Sequence, residues 1–368
     1  MKIECLKDKL SWAIAKAEKV TGKNLTLPVL SCVLLEAEKN NLTIKATNLD
    51  LGIEISIPVK TDKDGKVAVP GAVLNNFISS LGSDKTVTLE FVDGNLNIST
   101  ESSSAVIKAL PYEDFPTIPR VSDEKTFKIT STDFSKGLKA VWYSSAVSSM
   151  KPELSSVYIY PNDEDEIVFV ATDSFRLAEK KIKSKKQVKD FSQILIPFKN
   201  IAEIIRILDE IKDEVTVCLD KNQISFTYSN IYLNSRVIDG VFPDYKQILP
   251  KEYKTEVIVL KQDLLNALKT ANIFSDSFNQ IHMRVVPSAK LFELKTKNAN
   301  VGENTNKLDC NVSGEEVSIN FNYKYVADCF QSVDSDSVSL SFNGLSRPVV
   351  VKGVSDKSFT YLVMPMNK

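Results

Sequence analysis

The single histidine of the chain, His282, limits the chemistry that its side chains could perform. Zinc sites of the HExxH type and iron sites with two histidines each need a second histidine, so the sequence excludes both. A serine or cysteine nucleophile would depend on His282 alone as its general base. His282 lies in the stretch IHMRVV, whose alternation of apolar and polar residues is typical of a β-strand. We therefore predict a strand residue without a catalytic role.

The five cysteines lack the spacing of a metal site or a disulfide framework. Their number is odd and no CxxC pair occurs, which favours a reducing, cytoplasmic compartment. Most lie in apolar stretches and are expected to be small buried side chains; they are Cys5, Cys32, Cys218, Cys310 and Cys329. No phosphate-binding loop and no GxGxxG motif occurs. The sequence therefore predicts no metal and no cofactor.

Asp173 and Arg176 are the remaining candidates for a reactive pair. The segment ATDSFR ends an alternating stretch, so an ion pair that holds a turn at the end of a strand explains these residues more simply. No motif of paired acids occurs, and we predict that the chain is not an enzyme. An enzyme whose active site the sequence does not reveal stays an alternative.

The charge balance, taken alone, argues against a nucleic-acid partner. The 368 residues are 43% hydrophobic and 25% charged, which is typical of two or three globular domains. Basic residues number 46 and acidic residues 47, whereas proteins that hold nucleic acid by charge alone carry a basic excess. No apolar run of membrane-spanning length occurs, and MKIECLKDKL lacks the apolar core of a signal peptide.

A strand followed by an amphipathic helix occurs three times, about 125 residues apart. Apolar residues four positions apart mark one buried face on each helix; the copies are MKIECLKDKLSWAIAKAEKV, FKITSTDFSKGLKAVWYSSA and EVIVLKQDLLNALKTANIFS. An alternating strand pair around a threonine follows each copy, at Thr47, at Thr172 and, more weakly, at Thr296. The regular spacing predicts an internal three-fold repeat.

The second half of each copy contains another helix and a run of short strands. Pro70 and Pro197 stand where a helix can begin, and Asn322 is the expected N-cap in the third copy. Asp93 and Gly94 between alternating residues predict a hairpin.

The summed charge of the predicted helices is +3, against −4 for the rest of the chain. These helices cover 6–21, 70–81, 131–147, 197–211, 261–273 and 321–331.

The repeat predicts an α+β fold class, with three tandem domains of two helices packed on antiparallel sheets. We place the domains at residues 1–123, 124–252 and 253–368, joined by the proline-bearing segments Leu110–Pro119 and Gly240–Pro250. Because an unpaired edge strand invites pairing, such units can close into a ring without free edges. The arrangement is typical of a scaffold.

The whole chain resembles a known family, the bacterial DNA polymerase III beta subunits, or beta sliding clamps. Five segments carry the resemblance in order: LTLPVLSCVLLEAE, NLDLGIE, ATDSFRLA, FPDYKQILP and YLVMPM. The resemblance implies a head-to-tail homodimer, in which six clamp domains form a ring around duplex DNA without sequence preference. A clamp loader would open the ring, and clamp-binding peptides would tether the DNA polymerase III alpha subunit, other polymerases and repair proteins to it.

The family role makes the near-neutral charge compatible with a DNA partner, because a clamp must slide and tight phosphate contact would oppose sliding. The resemblance also implies that the chain catalyses no reaction. A structural repeat protein without a role on DNA stays a second alternative.

The resemblance further implies a groove for partner peptides between the second and third domains. The residues carried over to it are Leu154, Thr172, Ser174, Phe175, Arg176, Leu177, Pro243, Ile248, Tyr325, Leu345, Val363, Met364, Pro365 and Met366. The family commonly has His or Tyr where Phe175 stands, and Arg where Asn367 and Lys368 follow VMPM. The detailed peptide preference therefore does not follow from the family.

Two smaller sets complete the residues that the resemblance implies. The expected DNA-facing residues are Lys23, Lys136, Lys139, Lys199 and Arg206. The expected dimer contacts are Ala105, Ile107, Ile273 and Phe274.

Overall fold

The chain is described by a computed structural model. The structure describes residues 1–22, 27–122, 125–148, 150–184, 193–250 and 252–366. The chain folds into two compact units. Unit 1 comprises Met1–Thr132 and Lys199–Val237, and unit 2 comprises Asp133–Phe198 and Ile238–Lys368. The second predicted repeat therefore contributes to both units, while the domain boundaries given above stay predictions.

Within the described residues, six α-helices form where the apolar periodicity places them. They are α1 (Lys7–Val20), α2 (Gly71–Ser80), α3 (Ser131–Val141), α4 (Phe198–Leu208), α5 (Lys261–Ile273) and α6 (Tyr323–Asp328). The third and sixth are shorter than predicted, because 3₁₀ turns take over at Trp142–Ser144 and Cys329–Gln331. Residues after Val141 are rich in serine, which competes for backbone hydrogen bonds and ends a helix readily.

Twenty-six strands form in the same described ranges. The first thirteen are β1 (Lys2–Leu6), β2 (Cys32–Glu38), β3 (Asn41–Thr47), β4 (Leu51–Pro58), β5 (Lys60–Lys63), β6 (Gly65–Pro70), β7 (Thr86–Val92), β8 (Asn95–Ser99), β9 (Ser104–Lys108), β10 (Thr126–Thr130), β11 (Ser156–Pro161), β12 (Glu166–Thr172) and β13 (Arg176–Lys183). The others are β14 (Ile194–Pro197), β15 (Glu214–Leu219), β16 (Gln223–Tyr228), β17 (Ile231–Arg236), β18 (Thr255–Leu260), β19 (Gln280–Val286), β20 (Leu291–Asn298), β21 (Gly302–Leu308), β22 (Cys310–Gly314), β23 (Val317–Asn322), β24 (Ser337–Phe342), β25 (Val349–Gly353) and β26 (Phe359–Val363).

Unit 1 contains a five-stranded and an eight-stranded antiparallel sheet. The first has the order β5-β1-β7-β8-β9, and the second β10-β15-β16-β17-β4-β3-β2-β6. In the larger sheet, β17 from the second repeat pairs with β4 from the first, with Ser235 opposite Leu51 and Ile231 opposite Ile55. Backbone hydrogen bonds therefore join the two repeats into one sheet.

Unit 2 repeats this construction with the second and third repeats. Its nine-stranded sheet has the order β14-β11-β12-β13-β26-β25-β24-β18-β22, and its four-stranded sheet β21-β20-β19-β23. Here β26 pairs with β13, with Val363 opposite Arg176 and Phe359 opposite Lys180. The last strand of one repeat thus completes the sheet of the repeat before it in both units.

The three-fold repeat is confirmed, and two copies agree down to single hydrogen bonds. The hydroxyl of Thr47 donates to the carbonyl of Leu51 at 2.9 Å, and that of Thr172 donates to the carbonyl of Arg176 at 2.6 Å. The third copy differs because its hairpin is longer, so Thr296 pairs with Asn304 across the ladder. This insertion explains why the third threonine segment is the weaker match in sequence.

The predicted turn and cap residues are confirmed. Asp93 and Gly94 have φ values of +51° and +75° and connect β7 to β8. The side chain of Asn322 accepts hydrogen bonds from the backbone N–H groups of Lys324 and Tyr325, at 3.0 and 3.4 Å, and caps α6.

A buried ion pair fixes β13 against the turn that precedes β26. Lys180, which is 2% exposed, donates to Asp356 Oδ2 at 3.0 Å and to Ser358 Oγ at 2.6 Å. Burial acts to raise the pKa of the Asp356 carboxyl, but hydrogen bonds from Ser358 and the ion pair with Lys180 outweigh it and hold that pKa below its usual value. The pair therefore favours the folded state wherever this carboxyl is ionised.

We expect Asp356→Asn to lower the free energy of unfolding by about 3 kcal/mol at pH 7, because it leaves the buried Lys180 ammonium without a counter-charge. A depressed carboxyl pKa stabilises the fold above the unfolded-state value of about 3.9, and that contribution is lost as pH falls through the folded-state pKa. The difference between the two proteins should therefore shrink below about pH 4.

Urea unfolding at pH 7, 4, 3 and 2 measures this difference. Glu38→Gln is the matched control, since its partner Lys39 has a side chain that is 86% exposed and such pairs contribute less than about 1 kcal/mol. A difference that is constant across the pH series would contradict the ion-pair explanation.

Candidate functional site

The turn between β12 and β13 is built by its own polar side chains. Ser174 has a φ of +77°, and its N–H donates to the hydroxyl of Thr172 at 3.2 Å. The backbone N–H groups of Phe175 and Arg176 both donate to Asp173 Oδ1 at 2.9 Å. This geometry turns the Phe175 side chain outward, where it is 60% exposed.

Arg176 is locked in place beneath this turn. Its Nε donates to Asp173 Oδ2 at 3.0 Å, its Nη1 pairs with Asp328, and its Nη2 donates to the Tyr143 carbonyl at 2.6 Å. The guanidinium also lies over the Tyr325 ring, 4.6 Å from the centroid. The predicted ion pair with Asp173 is confirmed, whereas Asp328 and Tyr143 carry no local sequence signal that would identify them.

The end of β26 lies against the same turn. The backbone N–H of Met364 donates to the Phe175 carbonyl at 2.8 Å. The Phe175 ring stacks on that of Tyr325, with centroids 6.4 Å apart. Farther along, the Met366 N–H donates to the Asn320 carbonyl at 2.8 Å. Side chains from the second and third repeats thus meet at one exposed apolar surface.

The connector between the second and third repeats packs into the sheet beside this surface. Phe242 and Tyr245 belong to one buried cluster with Leu177, and the Phe242 ring stacks on that of Tyr158 at 4.7 Å. These aromatic rings anchor the connector, and its residues Pro243 and Ile248 are exposed.

The predicted groove residues divide by burial into a surface and a support. The exposed ones are Ser174, Phe175, Pro243, Ile248, Leu345 and Met364. The half-buried ones are Arg176, Tyr325, Pro365 and Met366. The buried ones are Leu154, Thr172, Leu177 and Val363. Direct contacts join Phe175, Arg176, Tyr325 and Met364, so these four form the centre of the candidate groove.

Acidic neighbours offset most of the predicted DNA-facing residues. The ion pairs are Lys136 with Asp334 at 3.2 Å, Lys199 with Asp50 at 2.5 Å, and Arg206 with Glu203 at 2.6 Å. Lys139 lies in the last turn of α3, and Lys23 lies outside the described residues. Three of the four described residues therefore carry a locally balanced charge.

The predicted dimer residues lie next to two edge strands. Ile273 ends α5 and is 65% exposed, with the half-buried Phe274 following it. On β9, Ala105 is half-buried and Ile107 is 6% exposed, whereas Val106 between them is 67% exposed. Val106 lies within the expected edge strand but was not named as a contact, and the alternation along the strand places it on the opposite face from its two neighbours.

The residues considered first for chemistry have structural surroundings. His282 lies on β19, with Nδ1 2.7 Å from Asn320 Oδ1 and Nε2 3.0 Å from Ser318 Oγ on the neighbouring strand. Burial raises the pKa of the Cys5 thiol to about 12, so this thiol is protonated at neutral pH. Four of the five cysteines are buried as expected, and Cys310 is half-buried.

The described part of the chain holds neither a metal-binding cluster nor a membrane-spanning helix. No group of three or more histidine, cysteine, aspartate or glutamate side chains there is arranged to hold a metal ion. No helix in those ranges combines the length and apolar character that crossing a bilayer needs.

Three family profiles match the chain in sequence order. Residues 1–119 match the N-terminal domain of the DNA polymerase III beta subunit, residues 128–244 the central domain, and residues 246–367 the C-terminal domain. This family is a non-catalytic processivity factor, in agreement with the prediction that the chain is not an enzyme. The alternatives of a hidden enzyme and of a repeat protein without a role on DNA are therefore not favoured.

Similar proteins cover the chain from end to end. A beta sliding clamp of Synechococcus elongatus is 26% identical over 373 residues, covering 100% of this chain and 99% of that protein. A DNA polymerase sliding clamp of Bacillus subtilis has the same fold, with a TM-score of 0.95, 23% identity and coverage of 100% and 99%. The DNA polymerase III beta subunit of Pseudomonas aeruginosa gives 0.94, 24% and full coverage of both chains. The chain belongs to the bacterial DNA polymerase III beta subunit family, the beta sliding clamps.

Proposed function

We propose that this chain forms a homodimeric ring that encircles duplex DNA in the cytoplasm and tethers replication and repair proteins to it. A clamp loader would place the ring on DNA, and the DNA polymerase III alpha subunit and other polymerases would bind it through short peptides. The single observation that carries the proposal is the pair of strand edges, β9 and β21, at the ends of the two smaller sheets. Family membership supports the same conclusion.

Ring closure follows from the way the repeats already pair within the chain. β17 pairs with β4, and β26 pairs with β13, so two of three equivalent junctions are made inside one chain. The third junction would join β9 to β21 of a second copy. That pairing would leave neither of these two edges open to uncontrolled association.

The repeat also predicts the register of this third junction. Asn234 of β17 faces Gly52, and Leu362 of β26 faces Leu177. Gly52 and Leu177 are the cross-strand partners of Thr47 and Thr172. Equivalent positions in the repeats are found by counting back from the first residue of the helix and then following the cross-strand pairs. By this alignment, Val106 of β9 is equivalent to Asn234 of β17 and Leu362 of β26. The third threonine faces Asn304, so we expect Val106 to lie opposite Asn304 of the partner subunit.

We expect Val106→Arg to weaken dimerisation at least about tenfold, because it places a charge in the centre of the new junction. Sedimentation equilibrium over a range of protein concentrations measures the dissociation constant. Val92→Arg is the matched control, since Val92 is also exposed and lies on β7 of the same sheet. An unchanged dissociation constant for Val106→Arg would contradict the proposed junction.

Weak contact with DNA fits a ring that slides. Each phosphate neutralised by a basic side chain makes the affinity fall with salt, by about 0.9 in log K per log unit of salt. The acidic partners of Lys136, Lys199 and Arg206 reduce the charge available for such contacts. Retention on DNA would then depend on encirclement, which salt does not weaken in the same way.

After loading by a clamp loader, we expect the protein to stay on nicked circular DNA in about 0.5 M salt, where charge contacts are largely screened. It should leave the same DNA within minutes once a restriction enzyme linearises it, because a ring can then slide off the end. Gel filtration of labelled protein with DNA measures both. Equal retention on circular and linear DNA would refute encirclement.

The proposed peptide groove has its centre at Phe175, Arg176, Tyr325 and Met364. Arg176 supports the surface from below and is half-buried, with each of its three nitrogens already donating one hydrogen bond, so a partner peptide would meet mainly apolar side chains. Short extended peptides with apolar anchors bind surfaces of this kind. The flexible methionine allows several different anchors to be accommodated.

We expect Met364→Ala to weaken binding of the clamp-binding peptide of the polymerase alpha subunit about tenfold, the effect of truncating a central apolar contact. Fluorescence anisotropy measures the affinity, and sedimentation should show an unchanged dimer. Met150→Ala is the control, because Met150 is 90% exposed and lies outside the groove set. Equal peptide affinity for the wild-type protein and Met364→Ala would overturn the groove assignment.

A further inference from the structure

The construction that forms the groove in unit 2 occurs a second time in unit 1. There the turn after Thr47, the start of β4 and the end of β17 surround a cavity of about 230 Å³. The connector between the first two repeats closes one side of it through Pro116, Ile118 and Pro119. This cavity has no assigned role in the function proposed above.

The backbone geometry of the two places is equivalent. The N–H of Arg236 donates to the Asp50 carbonyl at 2.8 Å, as the N–H of Met364 donates to the Phe175 carbonyl at 2.8 Å. Leu49 has a φ of +76°, close to the +77° of Ser174. Arg236 therefore stands in unit 1 where the groove of unit 2 has Met364.

The connector can approach the cavity closely because Gly52 has no side chain. A Cβ atom at Gly52 would lie only 2.9 Å from Cγ2 of Ile118. Ile118 is 6% exposed and forms part of the cavity wall, whereas Leu49 at the rim is 44% exposed. Ile118 and Leu49 thus supply an apolar part of the lining, beside the polar side chains of Gln223 and Asn234.

The charges of the two places differ. In unit 2, the Arg176 guanidinium donates hydrogen bonds to Asp173, Asp328 and the Tyr143 carbonyl. In unit 1, Arg236 is exposed, and within the described ranges its guanidinium has no hydrogen bond or ion pair. The nearby Asp50 carboxylate is already paired with Lys199 at 2.5 Å. The Arg236 guanidinium therefore borders a cavity with an apolar side at Ile118 and Leu49, and it is available to an acidic partner.

We propose that this cavity is a second peptide-binding site, selective for a short partner segment in which a carboxylate follows an apolar anchor. The anchor fills the cavity beside Ile118 and Leu49, and the carboxylate pairs with the planar fork of Arg236. The proposal extends the peptide-binding role proposed for unit 2 and rests on it through the repeat. The groove of unit 2 would select apolar residues, and this site would select an acidic one.

The size of the cavity favours an anchor side chain over a free small molecule. Sites for small molecules usually enclose about 300–1,000 Å³. A volume of about 230 Å³ lies below that range but accommodates one apolar side chain of an extended peptide.

The test uses the full-length protein with labelled methyl groups and two blocked peptides, acetyl-Gly-Leu-Glu-Gly-amide and acetyl-Gly-Leu-Gln-Gly-amide. We expect NMR shifts at the methyl groups of Leu49 and Ile118, with about fivefold tighter apparent binding of the glutamate peptide. Arg236→Gln should reduce this ratio to about one. Arg284→Gln is the matched control, since Arg284 is also exposed but pairs with Glu316.

The methyl groups of the two sites give separate NMR signals, so failure of this proposal can be distinguished from failure of the groove proposed in unit 2. The Met364 methyl group reports on the groove of unit 2, and Met364→Ala should leave the response at Leu49 and Ile118 unchanged. The proposal is overturned if the two peptides bind equally, if neither shifts these methyl groups, or if acetate alone gives the same shifts. A shift that depends on protein concentration without peptide would overturn it as well, since a second copy would then occupy the cavity.

Discussion

Strand pairing between successive repeats is the constraint on which the rest of the structure depends. A repeat that ended with its own last strand would leave a row of unpaired N–H and C=O groups, which costs free energy and invites aggregation. The pairs β4 with β17 and β13 with β26 remove that cost twice within the chain. A single repeat is therefore incomplete by itself, and the proposed pairing of β9 with β21 of a second copy follows from the same geometry.

The proposed groove depends directly on this pairing. β26 brings Met364 to the turn at Phe175 only because its register against β13 is fixed. A slip of one residue would turn Met364 inward and carry the buried Val363 to the surface. Arg176 adds stiffness, since three bonded groups from separate elements hold its side chain. The same backbone arrangement in unit 1 carries Arg236 in place of methionine, so the two proposed sites differ in side-chain chemistry.

Local patterns in the sequence were sufficient for the elements of the fold. Apolar spacing located the six helices of the described ranges, and short-range chemistry identified the Asp93–Gly94 turn and the Asn322 cap. Contacts between distant segments could not be predicted from such local patterns. The pair of Arg176 with Asp328 joins residues 152 positions apart, and neither residue has a local feature that indicates the other. The exposure of Val106 between two more buried neighbours was not predicted either, since positions carried over from a family do not specify which face of a strand each residue occupies.

The late position of β26 has a consequence for synthesis. β13 is complete when the ribosome reaches residue 183, but its partner β26 begins only at residue 359. The unpaired edge of β13 must therefore wait through more than a hundred residues of translation. Its segment RLAEKKIK carries several lysines, and charged residues on an open edge discourage premature pairing between nascent chains. Lys180 is thus one of the charged residues on the open edge of β13 before β26 is made, and it becomes the buried partner of Asp356 afterwards.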